Sequence, residues 1–249
     1  MGKLEKKFAL VTGGSRGIGR GIALELAREG AAVAVNYRRD EAAARETVEQ
    51  IAALGGGAIA VQADVSDWPA VQRMVADVLG DFGQLDIVVA NSGVASRVQS
   101  VWDVDVEHWH KVIGVDLHGA FYTCKATAKH LVDRGTGSII LISSIGADAC
   151  APFGAPYYVA KAGVNALTKT LAKECASAGV RVNCIAPGLI HSDMGDRLIE
   201  HYGDMVISGI PLGRPGHPHD IGKAAVFLAS DDANFITGKI LRIDGGAWM

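Results

Sequence analysis

The stretch Phe8-Ala-Leu-Val-Thr-Gly-Gly-Ser-Arg-Gly-Ile-Gly19 decides the fold of this 249-residue chain. Its first four residues form a short apolar run, which is typical of a strand buried on both faces. Gly13, Gly17 and Gly19 follow at once and lead into an amphipathic segment. Glycines at such a turn let the backbone bend tightly and approach a pyrophosphate, which then binds the amides at the helix N-terminus. The stretch therefore predicts a strand, a phosphate-binding loop and a helix.

Outward from this stretch, short apolar runs alternate with longer amphipathic segments along the whole chain. The predicted strands are Phe8–Val11, Ala32–Val35, Ala58–Val61, Leu85–Ala90, Ser138–Ile142, Val180–Ile185 and Ile240–Ile243. The predicted helices are Gly17–Glu29, Glu41–Leu54, Trp68–Phe82, Glu107–Val132, Tyr157–Ser177 and Asp220–Leu228. This alternation predicts one α/β domain over residues 1–249, a doubly wound parallel sheet with helices on both faces. The segment 188–217 lies outside the alternation, and a loop of that length predicts a substrate lid.

Composition excludes several classes of function. The chain has 24 Lys and Arg against 27 Asp and Glu, so it offers no basic face for a nucleic acid. No apolar run is long enough to span a bilayer, and no signal-peptide core follows the N-terminal lysines. Its 4 cysteines are widely spaced, which favours free thiols over a metal site or a disulfide framework. We expect a soluble, cytoplasmic protein that holds no metal.

The end of the second predicted strand distinguishes the two nicotinamide cofactors. NAD sites usually place an acidic residue there to hold the ribose hydroxyls. This chain has Asn36-Tyr37-Arg38-Arg39 instead, and Arg16 in the glycine loop adds a further positive charge. A guanidinium matches a phosphate dianion with two parallel hydrogen bonds. The sequence therefore predicts NADP(H), against the alternative that Arg38 and Arg39 are simply solvated surface residues.

Two further polar segments follow predicted strands. Asp64-Val65 follows the third strand and Asn91-Ser92-Gly93 follows the fourth. The carboxyl ends of strands line the ligand crevice of a doubly wound sheet. Asp64 could bind the adenine, and the Asn91 loop could pass beneath the adenosine ribose. The alternatives are a helix cap for Asp64 and a turn residue for Asn91.

The segment Tyr157-Tyr-Val-Ala-Lys161 carries the strongest chemical signal. Tyr157 and Lys161 are four residues apart and share one face of a helix. A nearby ammonium favours the ionised form of a tyrosine, which suits general acid–base catalysis. Ser144 follows the fifth strand, where its hydroxyl could orient a carbonyl oxygen. With the glycine loop, these three residues predict an oxidoreductase site rather than surface decoration.

These segments together resemble the short-chain dehydrogenase/reductase family over essentially the full chain. The matching segments are Thr12–Gly19, Asp64-Val65, Asn91-Ser92-Gly93, Ser144, Tyr157-x-x-x-Lys161, Pro187-Gly188 and Ile243-Asp244-Gly245-Gly246. The resemblance implies a Rossmann-like fold with a seven-stranded sheet, assembled as a homotetramer or homodimer, with the final Ile-Asp-Gly-Gly near a subunit interface. It implies Tyr157 as general acid/base, Ser144 as hydrogen-bond donor to the substrate oxygen, and Lys161 as the residue that activates Tyr157 and holds the nicotinamide ribose.

The resemblance also completes the predicted cofactor site, in which Ser192 stands where the family has a threonine that contacts the carboxamide. The full set of predicted cofactor residues is Gly13, Ser15, Arg16, Gly17, Ile18, Gly19, Tyr37, Arg38, Arg39, Asp64, Val65, Asn91, Ser92, Gly93, Tyr157, Lys161, Pro187, Gly188, Ile190 and Ser192. Substrate contacts are expected from Ser144, Tyr157 and the loop 145–156, with Cys150 and Phe153 as the named candidates.

Three positions depart from the family pattern. Asp116 stands where the family has an asparagine that completes a proton relay, so Asp116 is included as a catalytic candidate. An extra negative charge there could change the ionisation of both itself and Lys161. Ser92 replaces the usual alanine. Ala178 replaces an arginine of the bacterial ketoacyl-carrier-protein reductases, which weakens the case for docking an acidic carrier protein.

Three functions remain open from the sequence. The first is an NADP(H)-dependent enzyme that interconverts a ketone and a secondary alcohol on a carbonyl, polyol or sugar substrate. The second is a 3-oxoacyl-thioester reductase, and the third is a non-catalytic NADP-binding sensor, for which Asp116 is the only support. No spaced set of ligands predicts a metal, so His108, His110, His217 and His219 are interpreted as surface residues.

Overall fold

A computed structural model describes residues 2–248, and the outermost residues of the predicted domain, 1 and 249, lie outside the described part. The strands are β1 Phe8–Val11, β2 Ala32–Tyr37, β3 Ala58–Gln62, β4 Ile87–Ala90, β5 Gly137–Ile142, β6 Val180–Pro187 and β7 Ile240–Ile243. The helices are α1 Gly17–Arg28, α2 Glu41–Ala53, α3 Trp68–Phe82, α4 Val106–Ile113, α5 Gly119–Arg134, α6 Gly146–Ala149, α7 Ala155–Cys175, α8 Asp193–Tyr202, α9 Asp204–Ser208 and α10 Pro218–Ala229. The predicted fold class is confirmed.

The sheet has seven parallel strands in the order β3-β2-β1-β4-β5-β6-β7. The order reverses direction beside β1, which pairs with β2 on one side and with β4 on the other. Ligands of doubly wound sheets bind at such a switch point, outside the carboxyl ends of the strands. Every predicted polar segment of the cofactor site follows the carboxyl end of a strand, so the topology gathers these segments at one edge.

Two apolar layers cover the sheet, one on each face. Ala9 and Val11 of β1 pack into one layer and Leu10 into the other, and all three side chains are fully buried. A strand buried on both faces needs no polar alternation, which explains the continuous apolar runs of the sequence. The two layers hold the sheet rigid and leave the loops at its carboxyl edge to form the site.

Two predicted segments differ from the structure. The stretch predicted as helical over 107–132 is helical throughout, but a π-helical turn over Gly114–His118 divides it into α4 and α5. The segment predicted as a loop over 188–217 contains α8 and α9. The side chain of Ser192 caps α8 by accepting the Gly195 N–H at 3.1 Å. The segment 188–217 therefore contains a capped helix, α8, and the short helix α9, and its role as a substrate lid stays a prediction.

Helices α1 and α10 cross in direct backbone contact. A Cβ atom added at Gly21 of α1 would lie 2.4 Å from the Cβ of Pro218, and one added at Gly222 of α10 would lie 2.6 Å from the Gly21 carbonyl oxygen. Only glycine permits this approach, because any side chain would force the helices apart. The crossing fixes α1, whose N-terminus carries the glycine loop.

The substitution Gly21→Ala should lower the free energy of unfolding by about 1–3 kcal/mol, since the added methyl overpacks the helix crossing. Gly80→Ala in α3 is the matched control, because a Cβ added there meets nothing within 4 Å. Alanine should stabilise α3 at that exposed position by about 0.5–1 kcal/mol. Urea denaturation of both variants tests the pair, and equal midpoints would contradict the close approach of α1 and α10.

Candidate active site

The glycine loop is bound to the end of β4 through Thr12 and Asn91. The Thr12 hydroxyl accepts the N–H groups of Asn91 at 2.9 Å and Ser92 at 3.1 Å. The Asn91 amide donates in return to the carbonyl oxygens of Thr12 at 2.8 Å and Gly13 at 3.3 Å. Asn91 therefore braces the loop rather than acting as a simple turn residue, and its side chain is largely occupied.

Asn36 at the end of β2 has a structural role that the sequence did not reveal. Its side chain is buried, accepts the Gly13 N–H at 3.1 Å and donates to the carbonyl oxygens of Val61 and Ala63. Since these partners belong to the glycine loop and to β3, Asn36 ties three strand ends together. The side-chain amide of Asn36 is therefore consumed by the backbone.

The predicted basic residues after β2 lie where the sequence placed them. Arg38 and Arg39 are exposed, whereas Tyr37 is buried. The Arg38 guanidinium lies 3.6 Å from the carboxylate of Asp64 at the end of β3. Burial acts to raise the pKa of Asp64, but hydrogen bonds from Ser66 and the charges of Arg38 and Arg39 outweigh it and hold that pKa below its usual range. The edge of the crevice therefore carries two cations against one carboxylate.

The glycine loop also meets the start of α8. Arg16 lies 3.1 Å from the carboxylate of Asp193, and a Cβ added at Gly17 would lie 3.3 Å from the Cβ of Ser192. Ser15 is buried, and its carbonyl oxygen accepts hydrogen bonds from the guanidinium of Arg20. The loop is thus fixed from behind and faces α8 across a narrow gap.

The segment after β6 crosses beside β7 and leads into α8. A Cβ added at Gly188 would lie 2.7 Å from the Cβ of Asp244, while Pro187 and Ile190 are buried. The Ser192 hydroxyl donates to the Ile190 carbonyl oxygen at 3.2 Å and accepts from Gly195. A hydroxyl has one donor and two acceptor positions, so one acceptor position of Ser192 remains for an amide N–H.

Lys161 is a buried cation at the centre of the site. It lies one turn after Tyr157 on α7, and its ammonium is 5.6 Å from the Tyr157 ring centroid. The ammonium donates to the Ile142 carbonyl oxygen at 3.1 Å, at the end of β5. Burial acts to lower the pKa of Lys161, but the interaction with Asp116 and the smaller effects of Tyr157 and Cys184 together outweigh it and raise that pKa above its usual value. Lys161 therefore stays protonated.

Ser144 stands two residues beyond the end of β5. Its hydroxyl accepts the Gly146 N–H at 3.0 Å. As the acceptor in this bond, the hydroxyl keeps its own proton available for an oxygen of a bound molecule. The neighbouring turn is shaped by Tyr158, whose ring lies so near Gly146 and Gly154 that a Cβ at either glycine would be 2.6 Å from it.

Asp116 forms a buried ion pair with Lys161. Its side chain is fully buried on the π-helical turn, where Oδ1 accepts the Val94 N–H at 2.8 Å and Oδ2 lies 3.4 Å from the Lys161 ammonium. Burial raises the pKa of Asp116, and the Lys161 charge and the Val94 hydrogen bond oppose that rise. Oδ2 has no aligned hydrogen-bond partner within residues 2–248. The departure from the family asparagine therefore places a second charge against the lysine.

The predicted substrate loop carries two residues in a strained conformation. Cys150 and Phe153 have backbone φ values of 44° and 68°, which lie in a region that residues other than glycine rarely adopt. The Phe153 carbonyl oxygen accepts the Gln99 N–H at 3.0 Å, so the loops after β4 and β5 meet there. The Gln99 side-chain oxygen is buried without a hydrogen-bond partner in the described residues. Both loops border the carboxyl edge.

One histidine prediction is wrong. His108 is buried, and its Nε2 accepts the Arg97 N–H at 3.1 Å. Burial, together with the charges of Arg97 and Lys111, lowers the pKa of His108, which keeps the ring neutral and able to accept. The residue anchors the loop after β4. The other three histidines of that prediction, His110, His217 and His219, are exposed as predicted.

The glycine loop, the strand-end polar residues and the buried lysine beside a tyrosine define an oxidoreductase of the short-chain dehydrogenase/reductase family, and this chain belongs to that family. Residues 13–247 match the family described as enoyl-(acyl carrier protein) reductase. A 3-oxoacyl-[acyl-carrier-protein] reductase FabG of Staphylococcus aureus is 42% identical over 243 residues, which are 98% of each chain.

Two solved structures resemble the whole chain. A protein of Sinorhizobium meliloti 1021, proposed to be a short-chain alcohol dehydrogenase, has a TM-score of 0.93 at 38% identity, over 98% of this chain and 97% of its own. A protein of Agrobacterium tumefaciens, proposed to be a gluconate dehydrogenase, has a TM-score of 0.93 at 34% identity, over 98% of this chain and 96% of its own. The two structures thus share the fold of this chain, and their names refer to different substrates.

Two searches of residues 2–248 gave no candidates. No helix in this part of the chain is both long and apolar enough to cross a membrane. Within the same range, no group of three or more His, Cys, Asp or Glu side chains has the geometry to hold a metal ion.

Proposed function

We propose that the protein is an NADP(H)-dependent enzyme that interconverts a ketone and a secondary alcohol. The observation that carries the proposal is that the Lys161 ammonium lies 5.6 Å from the Tyr157 ring and donates at 3.1 Å to the Ile142 carbonyl oxygen, two residues before Ser144, at the carboxyl edge of the sheet. Ser144 keeps a free proton, and Lys161 is a buried ammonium that bonds the end of β5. The arrangement supplies one hydrogen-bond donor, one phenol and one cation, which is the set that carbonyl reduction requires.

The described residues fit a dinucleotide phosphate. Gly13 and Gly17 have positive φ values of 61° and 52°, which turn the loop so that the amides at the start of α1 are open to a pyrophosphate. Arg16 and Arg38 would hold the 2′-phosphate, with Arg39 beside them. Ser192 has a free acceptor position for the carboxamide. When bound, the cofactor supplies or accepts the hydride.

In the direction of reduction, the chain contributes a proton and a polar environment. The Ser144 hydroxyl donates to the carbonyl oxygen and stabilises the negative charge that develops there. The Tyr157 phenol donates its proton to the same oxygen as the carbon is reduced. Lys161 then faces the resulting phenolate and stabilises its charge. The reverse sequence removes the proton from a secondary alcohol.

A second candidate is reduction of a 3-oxoacyl thioester, favoured by the relative that is 42% identical and named a 3-oxoacyl-[acyl-carrier-protein] reductase. Against it stands Ala178, which ends the turn after α7 and offers no charge to an acidic carrier protein. An assay of NADPH absorbance decides between the two candidate functions. Its substrates are ketoses, simple and aryl ketones, diketones and a 3-oxoacyl thioester. Turnover of the acyl substrate on carrier protein but not on a pantetheine analogue would favour the second candidate. No turnover of any carbonyl would contradict both.

Arg38→Asp should lower the preference for NADPH over NADH by about 10- to 100-fold, because it removes a charge-assisted pair with the 2′-phosphate and adds a repelling carboxylate. The ratio of kcat/KM for the two cofactors measures the effect. Arg73→Asp, which makes the same charge change at an exposed position of α3, is the matched control. An unchanged ratio in the Arg38 variant would show that Arg38 does not select the cofactor.

The family resemblance also supports a homodimer or homotetramer. Light scattering of the purified protein at several concentrations measures the mass directly, and a stable 26.0 kDa species would contradict this part of the proposal.

A further inference from the structure

The buried pair of Asp116 and Lys161 distinguishes this site from one with a neutral amide. An asparagine at position 116 could accept the Val94 N–H as Asp116 does, so that contact does not require a carboxylate. The second carboxylate oxygen is different, because it lies 3.4 Å from the Lys161 ammonium and has no other polar partner in the described residues. Among the described residues, this oxygen therefore faces the ammonium of Lys161 without a competing hydrogen bond.

The pair is also enclosed, which strengthens its electrostatic effect. The side chains of Asp116 and Lys161 are 0% and 5% exposed. A Cβ added at Gly93 would lie 3.1 Å from Asp116 Oδ2 and 3.3 Å from the Lys161 ammonium, so the Gly93 backbone covers the pair. Charges that are shielded from water interact more strongly over a given distance. The charge of Asp116 is therefore felt by every group that faces Lys161.

Two other titratable groups face Lys161, and a third contacts one of them. Tyr157 faces Lys161 from α7, and Cys184 faces it from β6. Burial raises the pKa of Cys184 to about 11, so that thiol stays neutral. Burial also raises the pKa of Tyr158, which contacts the Tyr157 ring at 5.9 Å. Tyr157 is thus the remaining group near Lys161 whose ionisation matters for the chemistry.

We propose that Asp116 is a positioning residue that balances the charge of Lys161 and so keeps the Tyr157 hydroxyl protonated to higher pH than an asparagine would. The inference rests on the proposed function, in which the protonated phenol is the acid of ketone reduction. With a carboxylate at position 116 the pair carries no net charge, whereas with an amide it carries one positive charge. A smaller positive charge stabilises a phenolate less. Aspartate in place of asparagine at position 116 thus extends ketone reduction to higher pH. It also moves the onset of alcohol oxidation to higher pH.

The pKa of Asp116, which is raised by burial, sets the lower pH limit of this charge balance. Below that pKa the carboxyl is neutral, and the pair carries the same charge as it would with asparagine. Above it the carboxylate balances Lys161. The effect is therefore present above the raised pKa of Asp116 and is lost as the pH falls through that pKa.

Asp116→Asn tests the proposal, because it removes the charge and keeps the shape. In kcat/KM against pH, the alkaline limb of ketone reduction and the rise of alcohol oxidation should both move about one pH unit lower. The profiles of the two proteins should converge at acid pH. Asp133→Asn is the control, because it removes a carboxylate from an exposed pair with Lys129 on α5. A variant that is slower at every pH with no shift would show a merely structural role and overturn the proposal.

A second readout needs neither substrate nor cofactor. The phenolate absorbance of Tyr157 is obtained by titrating a protein with and without the Tyr157→Phe substitution and taking the difference. This difference is measured once with Asp116 present and once in the Asp116→Asn background. We expect the Tyr157 phenolate to form at lower pH in the Asp116→Asn background. Equal midpoints of the Tyr157 titration in the two backgrounds would overturn the proposal. Because this test needs no turnover, its failure can be distinguished from failure of the proposed function. Asp116→Ser provides the same comparison if Asp116→Asn does not fold.

Discussion

Replacing Tyr157 by phenylalanine should lower kcat for ketone reduction by about 10³-fold. Positioned proton transfer contributes about 10²- to 10⁴-fold in enzymes, and the variant has no proton to give. The ring would keep its edge contact with Tyr158 at 5.9 Å, so the loop around it should stay in place. Stopped-flow measurement of NADPH oxidation gives the rate, and NADPH fluorescence shows whether binding persists.

Tyr122→Phe is the control for the loss of a phenol elsewhere. Tyr122 lies on α5 and packs against Trp68, with ring centroids 5.5 Å apart, away from Ser144 and Lys161. Its substitution should leave kcat within a factor of about two, as expected for a change remote from the reacting atoms. If Tyr157→Phe retained a tenth of the activity, another group would be the acid. If the unsubstituted protein bound NADPH and turned over no carbonyl, the sensor hypothesis would gain support.

Ser144→Ala should lower kcat by about 10²- to 10³-fold, equal to about 3–4 kcal/mol of transition-state stabilisation. The hydroxyl accepts from Gly146 and is left with a proton for the substrate oxygen, so alanine removes a donor where negative charge develops. The value of KM should change less, because the bond strengthens as the charge forms. A larger fold-change in kcat than in KM would therefore identify Ser144 as a group that acts in the transition state.

A serine at the other end of the same strand provides the comparison. Ser138 is the second residue of β5, and its hydroxyl donates to the Leu228 carbonyl oxygen at 3.0 Å. Ser138→Ala should lower the free energy of unfolding by about 1 kcal/mol and leave kcat unchanged, since it removes a buried hydrogen bond far from the carboxyl edge. Comparable loss of kcat in the Ser138 and Ser144 variants would argue that β5 is disturbed as a whole.

The strands were the most predictable part of the fold. Phe8–Val11 and Ile240–Ile243 agree residue for residue with β1 and β7. A short apolar run marks both strands, although β1 is buried on both faces of the sheet and β7 lies at its edge and is only partly buried. The alternation of elements then fixed the class of sheet. The carboxyl-edge residues followed from that class, since parallel strands place all their ends together.

What the sequence missed depends on contacts between distant residues. Nothing in the amphipathic pattern of 106–134 marks the π-helical turn, where Asp116 reaches the Val94 N–H. The burial of His108 depends likewise on Arg97. Helix α8 is different, because Ser192 and Asp193 form a recognisable start that a search for N-caps would have found. Periodicity reports on faces, whereas these features arise where two elements touch.

The two arginines assigned to the 2′-phosphate are each matched with a carboxylate in this structure, Arg16 with Asp193 and Arg38 with Asp64. A phosphate that binds them therefore exchanges one anion for another instead of meeting bare cations. Exposed pairs of this kind are worth about 0–1 kcal/mol, so the exchange costs little. In return, both guanidinium groups are already oriented before any anion arrives. Under the proposed function, the carboxylates of Asp64 and Asp193 would give up these positions to the incoming 2′-phosphate.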